Sequence, residues 1–170
     1  NPNYQTSIDL LNKFLIDSKA YSNKNSGQVN LKLEAMVDVF KGTKKVYLHV
    51  ETREQIIESV QMFKKHGIDD LVLVGANDAY YALDFIKENN LPVLLNKIHR
   101  VPSRSHEDYD LPYKLPGILF NNGITVGLTA NGSLHGSRNL PFLAGTASAF
   151  GNLSKEEALT LITQIGRAHV

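Results

Sequence analysis

The stretch "KKVYLHVETREQIIESVQMFKKHGIDDLVLVG", residues 44–75, reads as a strand, a helix and a second strand in immediate succession. In an extended segment Val46, Leu48 and Val50 share one face, and Tyr47 and His49 share the other. Thr52 is placed to cap a helix over "REQIIESVQMFKKH", whose Ile56, Val60 and Phe63 make one apolar stripe. Its last turn is basic, and Gly67 follows as a stop signal. The next run, "LVLV", is apolar on both faces, as a parallel strand covered by helices must be. His49 stands one place before the end of the first strand. In α/β proteins that carboxyl edge is where ligands and catalytic groups gather. A packed or surface histidine is the plain alternative.

Working outward, the same alternation recurs. "YQTSIDLLNKFLIDSKAYSN" is helical and runs into the polar loop "NKNSGQ". Leu31 to Phe40 has helical spacing, ended by "KGT" with Gly42 as C-cap. Asn77 or Asp78 caps "AYYALDFIKENN", and "LPVLLNKI" is a third strand. "YKLPGILFNNG" reads as a short helix, "ITVGL" as a fourth strand and "NLPFLAGTASAFG" as a helix. A last helix, "SKEEALTLITQ", opens with Ser154 as N-cap and Glu157 in the capping-box position. One crossover helix per strand predicts an α/β fold of parallel βα repeats with right-handed connections. Two architectures satisfy this: an open doubly wound sheet, and part of a closed barrel. Four strands leave parallel edges unpaired, which favours a piece of something larger.

Composition narrows the function. The formal charge is +1, with 18 basic and 17 acidic residues interspersed. No basic stripe is present to neutralise phosphates, so nucleic acid is not the expected partner. The lack of cysteine excludes disulfides, thiolate metal sites and a cysteine nucleophile. No apolar run approaches the roughly 20 residues of a membrane span, and "NPNYQTSIDL" has neither the basic nor the apolar region of a signal peptide. The chain does not start with methionine, and its last six residues, "IGRAHV", are the translation of ATC GGA AGA GCA CAC GTC, a string found in a common sequencing adapter. We therefore expect residues 165–170 to be adapter-derived and residues 1–164 to be a fragment cut at both ends.

Three polar stretches could carry chemistry. "VLVGANDAY" has a single glycine, Gly75, and so makes a poor dinucleotide loop, while Asn77 and Asp78 have a ready use as helix caps. "NKIHRVPSRSHEDYDLPYKLP", residues 96–116, follows a strand end and holds His99, Arg100, Arg104, His106, Glu107, Asp108 and Asp110. It reads either as an active-site lid or substrate-binding loop, or as a solvated loop pinned by Arg–Asp pairs. "GLTANGSLHGSRNLP" is glycine-rich and suits either a close backbone approach to a ligand or simple turn chemistry.

The order of "VYLHV", "LVLVGANDAYYALDFIKENNLPVLLNKIHRVPSRSHEDYDLPYKLP", "GITVGL" and "RNLPFLAGTASAFGNLSKEEALTLIT" resembles the imidazolonepropionase-like branch of the amidohydrolase superfamily, collinearly from about residue 30 to residue 164. The resemblance implies a partial TIM (β/α)8 barrel, about strands five to eight. It implies hydrolysis of carbon–nitrogen bonds in small, often cyclic amides by metal-activated water. His49 matches the family's metal-binding histidine at the end of the fifth strand. At the end of the sixth, where a second histidine is usual, the chain has Val74 and Gly75; at the eighth, Ala130 and Asn131 stand where a catalytic aspartate is usual.

The resemblance thus implies a divergent amidohydrolase-like enzyme: His49 as metal ligand, a divalent cofactor with zinc first among candidates, and His99, Arg100, Arg104, Asn131 and Arg138 as substrate-binding residues. A small-molecule substrate is the expected partner. The second reading is a degenerate pseudoenzyme, without a metal, that serves as a binding subunit for itself or for a paralogue. A small-ligand-binding flavodoxin-like domain is a third. Relatives of this kind are often exported, and both exported and cytoplasmic locations stay open.

Overall fold

One device closes the helices that feed strands. In the computed structural model, which describes residues 2–23, 29–130 and 134–163, α4 (Arg53–Lys65), α5 (Leu83–Glu88) and α6 (Leu111–Asn121) all end in it. A residue of positive φ follows each: Gly67 at 83°, Asn90 at 51° and Gly123 at 79°. Its N–H bonds the carbonyl three residues back (Lys64, Lys87, Phe120), and the next N–H bonds the carbonyl five back (Ile68 to Phe63, Leu91 to Ile86, Ile124 to Leu119). This is the Schellman motif, which needs a left-handed residue where glycine or asparagine is tolerated. The apolar residue after the cap, Ile68, Leu91 or Ile124, is buried each time. Local chemistry therefore turns each helix back into the core.

The chain divides into two compact units, residues 1–46 with 58–71 and residues 47–57 with 72–170. In the first, α1 (Pro2–Ser22) is a single helix as the periodicity predicts. The predicted helix over 31–40 is instead two turns, α2 (Leu31–Glu34) and α3 (Val37–Phe40). The break comes where the Met36 N–H bonds Leu33 O, three residues back, which tightens the turn and ends the α-helical ladder. Leu15, Val60, Phe63, Ile68 and Leu71 are its buried apolar residues. His66 is buried with them, its Nε2 2.6 Å from Asn12 Oδ1. An amide oxygen carries no proton, so Nε2–H donates. Burial, then the Lys19 and Lys65 charges, hold the imidazole below its ordinary pKa.

The second unit carries the sheet. The strands are β1 (Val46–Val50), β2 (Leu71–Gly75), β3 (Val93–Leu95) and β4 (Val126–Leu128), in the order β1-β2-β3-β4. β2 and β3 are parallel, with Leu73 opposite Val93, and so are β3 and β4, with Val93 opposite Val126. A doubly wound sheet reverses its strand order at a switch point. Here each strand adds beside its predecessor without reversal, which is the arrangement of a partial TIM-like fold. Between β2 and β3 lie a short 3-10 turn, Ala79–Ala82, and α5. The remaining elements are α7 (Leu134–Ser137), α8 (Leu140–Gly151) and α9 (Lys155–Thr160). Ser154 and Glu157 form the expected capping box. Asn131 and the expected adapter-derived tail lie outside the described residues. Among the described residues no helix is long and apolar enough to cross a membrane.

α6 and α8 touch backbone to backbone. A Cβ on Gly151 would stand 2.9 Å from Gly117 Cα, and one on Gly117 would overlap the Gly151 carbonyl. Only glycine at both positions lets the helices approach this closely. Gly117→Ala is therefore expected to destabilise the protein by roughly 3 kcal/mol or more, read as a lowered denaturation midpoint at unchanged slope. His66 gives a second test. Because its folded pKa is depressed, its contribution is complete above the unfolded value of about 6.5 and is lost as pH falls from there through the lower folded value. His66→Gln should flatten stability against pH in that window, as measured by denaturation between mild acid and neutrality.

Candidate functional site

The carboxyl edge of the sheet is built by a strained turn. β2 ends in Gly75 at φ 89° and Ala76 at φ 43°, two successive left-handed residues. Positive φ in a buried alanine costs of order 1–3 kcal/mol. A bond from Ala76 N–H to Val50 O, 2.6 Å, holds it, and a Cβ at Gly75 would stand 2.9 Å from that same carbonyl. In a parallel ladder this bond sets Val50 opposite Gly75, and therefore His49 level with Val74. The register continues from Val74 to Leu94 and from Leu94 to Gly127. His49, Val74, Leu94 and Gly127 thus form one row on one face, with His49 exposed.

Beyond that row the turn aims Asn77 and Asp78 at the neighbouring strand ends. The Asp78 N–H bonds Glu51 O at 3.0 Å. Asn77 Nδ2 donates to Glu51 Oε2. Lys97, from the end of β3, places its ammonium 3.9 Å from Glu51 Oε1. Three strand ends thereby contribute a carboxylate, an amide and an ammonium to one exposed cluster. Glu51 carried a signal, as the first residue past a predicted strand and two from His49; the Asn77 and Lys97 partnerships are between distant segments and had none.

The loop 96–110 is pinned across this edge. Arg104 donates to both oxygens of Asp78, at 2.9 and 2.6 Å, and to Glu107 Oε1 at 3.0 Å, with its guanidinium carbon 4.6 Å from the centroid of the Tyr81 ring. Tyr81 Oη also donates to Glu107, at 3.0 Å, and the Ser103 N–H to its other oxygen at 2.8 Å. These bonds raise the Arg104 pKa. For Glu107, burial acts upward, but the bonds from Arg104, Tyr81 and Ser103 prevail and hold the carboxyl below its ordinary value. Burial, with the Glu107 carboxylate, pushes the Tyr81 phenol up.

Of the sequence-predicted site residues, the structure joins three to this loop. Arg100 donates to Asn77 O at 3.2 Å and to Ser103 Oγ at 3.0 Å. Arg104 takes the anchoring contacts just described. His99 is exposed, with Nε2 2.7 Å from Thr146 Oγ1 on α8 and its ring edge-on to Tyr113, centroids 6.0 Å apart. Arg138, after α7, is exposed, and Asn131 is outside the described residues. Among the described residues no group of three His, Asp or Glu side chains could hold a metal ion. A catalytic divalent ion normally takes about three protein ligands. His49 alone does not meet that need.

Arg104→Met would leave Asp78 and Glu107, whose side chains are only 6% and 2% exposed, as unpaired buried carboxylates. We expect a loss of stability, read as a lowered denaturation midpoint, with faster hydrogen exchange across residues 103–107. Arg104→Lys should recover little, since a lysine cannot chelate Asp78. The Glu107 contribution is present above the ordinary glutamate value of about 4.3 and is lost as pH falls through its lower folded value, so protection across residues 103–107, measured relative to the intrinsic exchange rate at each pH, should fall in acid.

No family model matches the chain, and no curated protein matches it. Among solved structures, the fold is similar to that of an amidohydrolase from Thermotoga maritima MSB8, with a TM-score of 0.80 at 17% identity, over 94% of this chain. The match takes in 43% of that protein's length, so this chain spans less than half of the protein it is similar to. The fold is therefore amidohydrolase-like: a four-stranded parallel α/β segment whose strand ends gather Glu51, Asn77 and Lys97.

Proposed function

We propose that the chain is the barrel half, about strands five to eight, of a hydrolase that acts on carbon–nitrogen bonds of small amides, cyclic ones among them. The observation that carries this is the likeness at TM-score 0.80 to a protein described as an amidohydrolase. The polar cluster at the strand ends supports it. Lys97 and Arg100 offer donors to a carbonyl or carboxylate of the substrate, and Arg104 keeps the loop that bears them across the edge. Arg138 and Asn131 are further candidates for the same task. His49 is the imidazole this chain would offer to a divalent ion, zinc first among candidates. The other ligands are not found among the described residues.

A specific observation favours a second reading. The usual second histidine position falls at Val74 and Gly75, and a Cβ at Gly75 would crowd Val50 O and Glu51 Oε1, 3.2 Å away. No side chain fits at Gly75 without moving the β1 end. That favours a catalytically degenerate binding or partner subunit, of its own copies or of a paralogue.

One experiment separates the two. The full-length protein is purified, its zinc, manganese and iron are measured, and turnover is assayed on small lactams and dipeptides. The hydrolase reading expects a stoichiometric metal and turnover, both lost, by at least tenfold in turnover, in His49→Ala. Full-length protein without metal or turnover, or a His49→Ala variant that keeps both, overturns it.

A further inference from the structure

We propose that His99 is a fixed hydrogen-bond acceptor for a substrate N–H, and that Thr146 is the positioning residue that selects its tautomer. This rests on the amide-hydrolase reading for the nature of the substrate, but the tautomer itself follows from hydrogen-bond geometry.

Thr146 Oγ1 has one proton, and it donates it to Phe142 O, one helical turn back on α8, at 2.9 Å. The contact from the same oxygen to His99 Nε2 at 2.7 Å must then be made by a proton on the ring. A neutral imidazole has one N–H and one lone pair. With Nε2 protonated, Nδ1 is the acceptor. A hydroxyl that could rotate would accept either tautomer; the Phe142 carbonyl removes that freedom. Second partners that fix the tautomer of a working histidine are a general feature of such residues.

Position makes the lone pair useful. His99 lies four residues past the end of β3, between Lys97 and Arg100, which reach Glu51 and the Asn77 carbonyl at the neighbouring strand ends. The cluster at this edge offers cations and an amide to a carbonyl, and its carboxylate, Glu51, is engaged by Asn77 and Lys97. A lactam or amide has both a carbonyl oxygen and an N–H, and an exposed imidazole with Nδ1 free of its proton supplies an uncharged acceptor for the N–H. The edge-on contact with Tyr113, itself 5.3 Å by ring centroids from Phe150, holds the ring against α6 and α8.

The test is nitrogen NMR of the histidines in the full-length protein, with His99 assigned by His99→Asn. We expect Nε2 to show the protonated signature and Nδ1 the unprotonated one in the neutral form. Thr146→Val should abolish that preference and Thr146→Ser restore it. Added 2-pyrrolidinone should shift Nδ1, and N-methyl-2-pyrrolidinone, which lacks the N–H, should not. In a turnover assay on lactams, Thr146→Val should lower kcat/KM at least fivefold and Thr146→Ser less than twofold. A protonated Nδ1 in the parent protein, an unchanged signature in Thr146→Val, or equal shifts from the two lactams overturns the proposal. Absence of hydrolysis with the expected signature and lactam response removes the hydrolase reading and leaves the acceptor role standing.

Discussion

The carboxylate of Asp78 holds the site together. It is 4% exposed and accepts from both nitrogens of the Arg104 fork and from the Arg53 N–H at 3.4 Å. One buried anion thereby ties the start of α4, the turn after β2 and the loop after β3. Each of these carries a residue of the strand-end cluster or stands next to one. A buried charge is tolerated only when paired and hydrogen-bonded, so the three segments cannot part without exposing or orphaning it. Fixing a loop of this length in one conformation costs of order 1–2 kcal/mol for each residue. Arg104 offsets a part of that cost through charge-assisted bonds, with Glu107 and Tyr81 closing the network.

The turn that presents Asp78 is expensive for the same reason it is informative. Gly75 and Ala76 run left-handed in succession, and Ala76 has no side-chain polarity to compensate. Such strain persists where surrounding structure over-determines it. Here the Val50 carbonyl and the Glu51 backbone take the Ala76 and Asp78 N–H groups. The path brings Asn77 onto Glu51. A relaxed strand-to-helix turn would leave the Asn77 amide without its bond to Glu51.

How much of this was legible in the sequence depends on the range of the interaction. The strand Val46–Val50, the Thr52 start and Gly67 stop of α4, and the Ser154–Glu157 box follow from residues within a few positions of one another, and the structure has them as expected. The parallel order followed from runs apolar on both faces. The split of 31–40 into two turns was not legible, since nothing in the apolar spacing marks where a ladder tightens. Asn77 and Asp78 read as helix caps, yet Asp78 makes no side-chain cap bond to the turn that follows it; its oxygens go to Arg104, 26 positions away. Of the two readings of the 96–116 loop, the pinning by an Arg–Asp pair is the one the structure has, through Arg104 and Asp78, with Arg100 held on the Asn77 carbonyl.

The row shared by His49, Val74, Leu94 and Gly127 carries one polar side chain, the His49 imidazole. Level with His49 on the described strands stand Val74, Leu94 and Gly127, two aliphatic side chains and a bare α-carbon. None can bind a cation or move a proton. A valine at the second position could in principle yield to a larger polar side chain, because Val74 is only partly covered. Gly75 could not, because the Val50 carbonyl occupies the space a Cβ would need. The polar groups instead lie one step further out, on Glu51, Asn77 and Lys97. The polar side chains of this edge therefore stand just past the strands, where backbone strain and one buried aspartate, rather than the ladder, set their geometry.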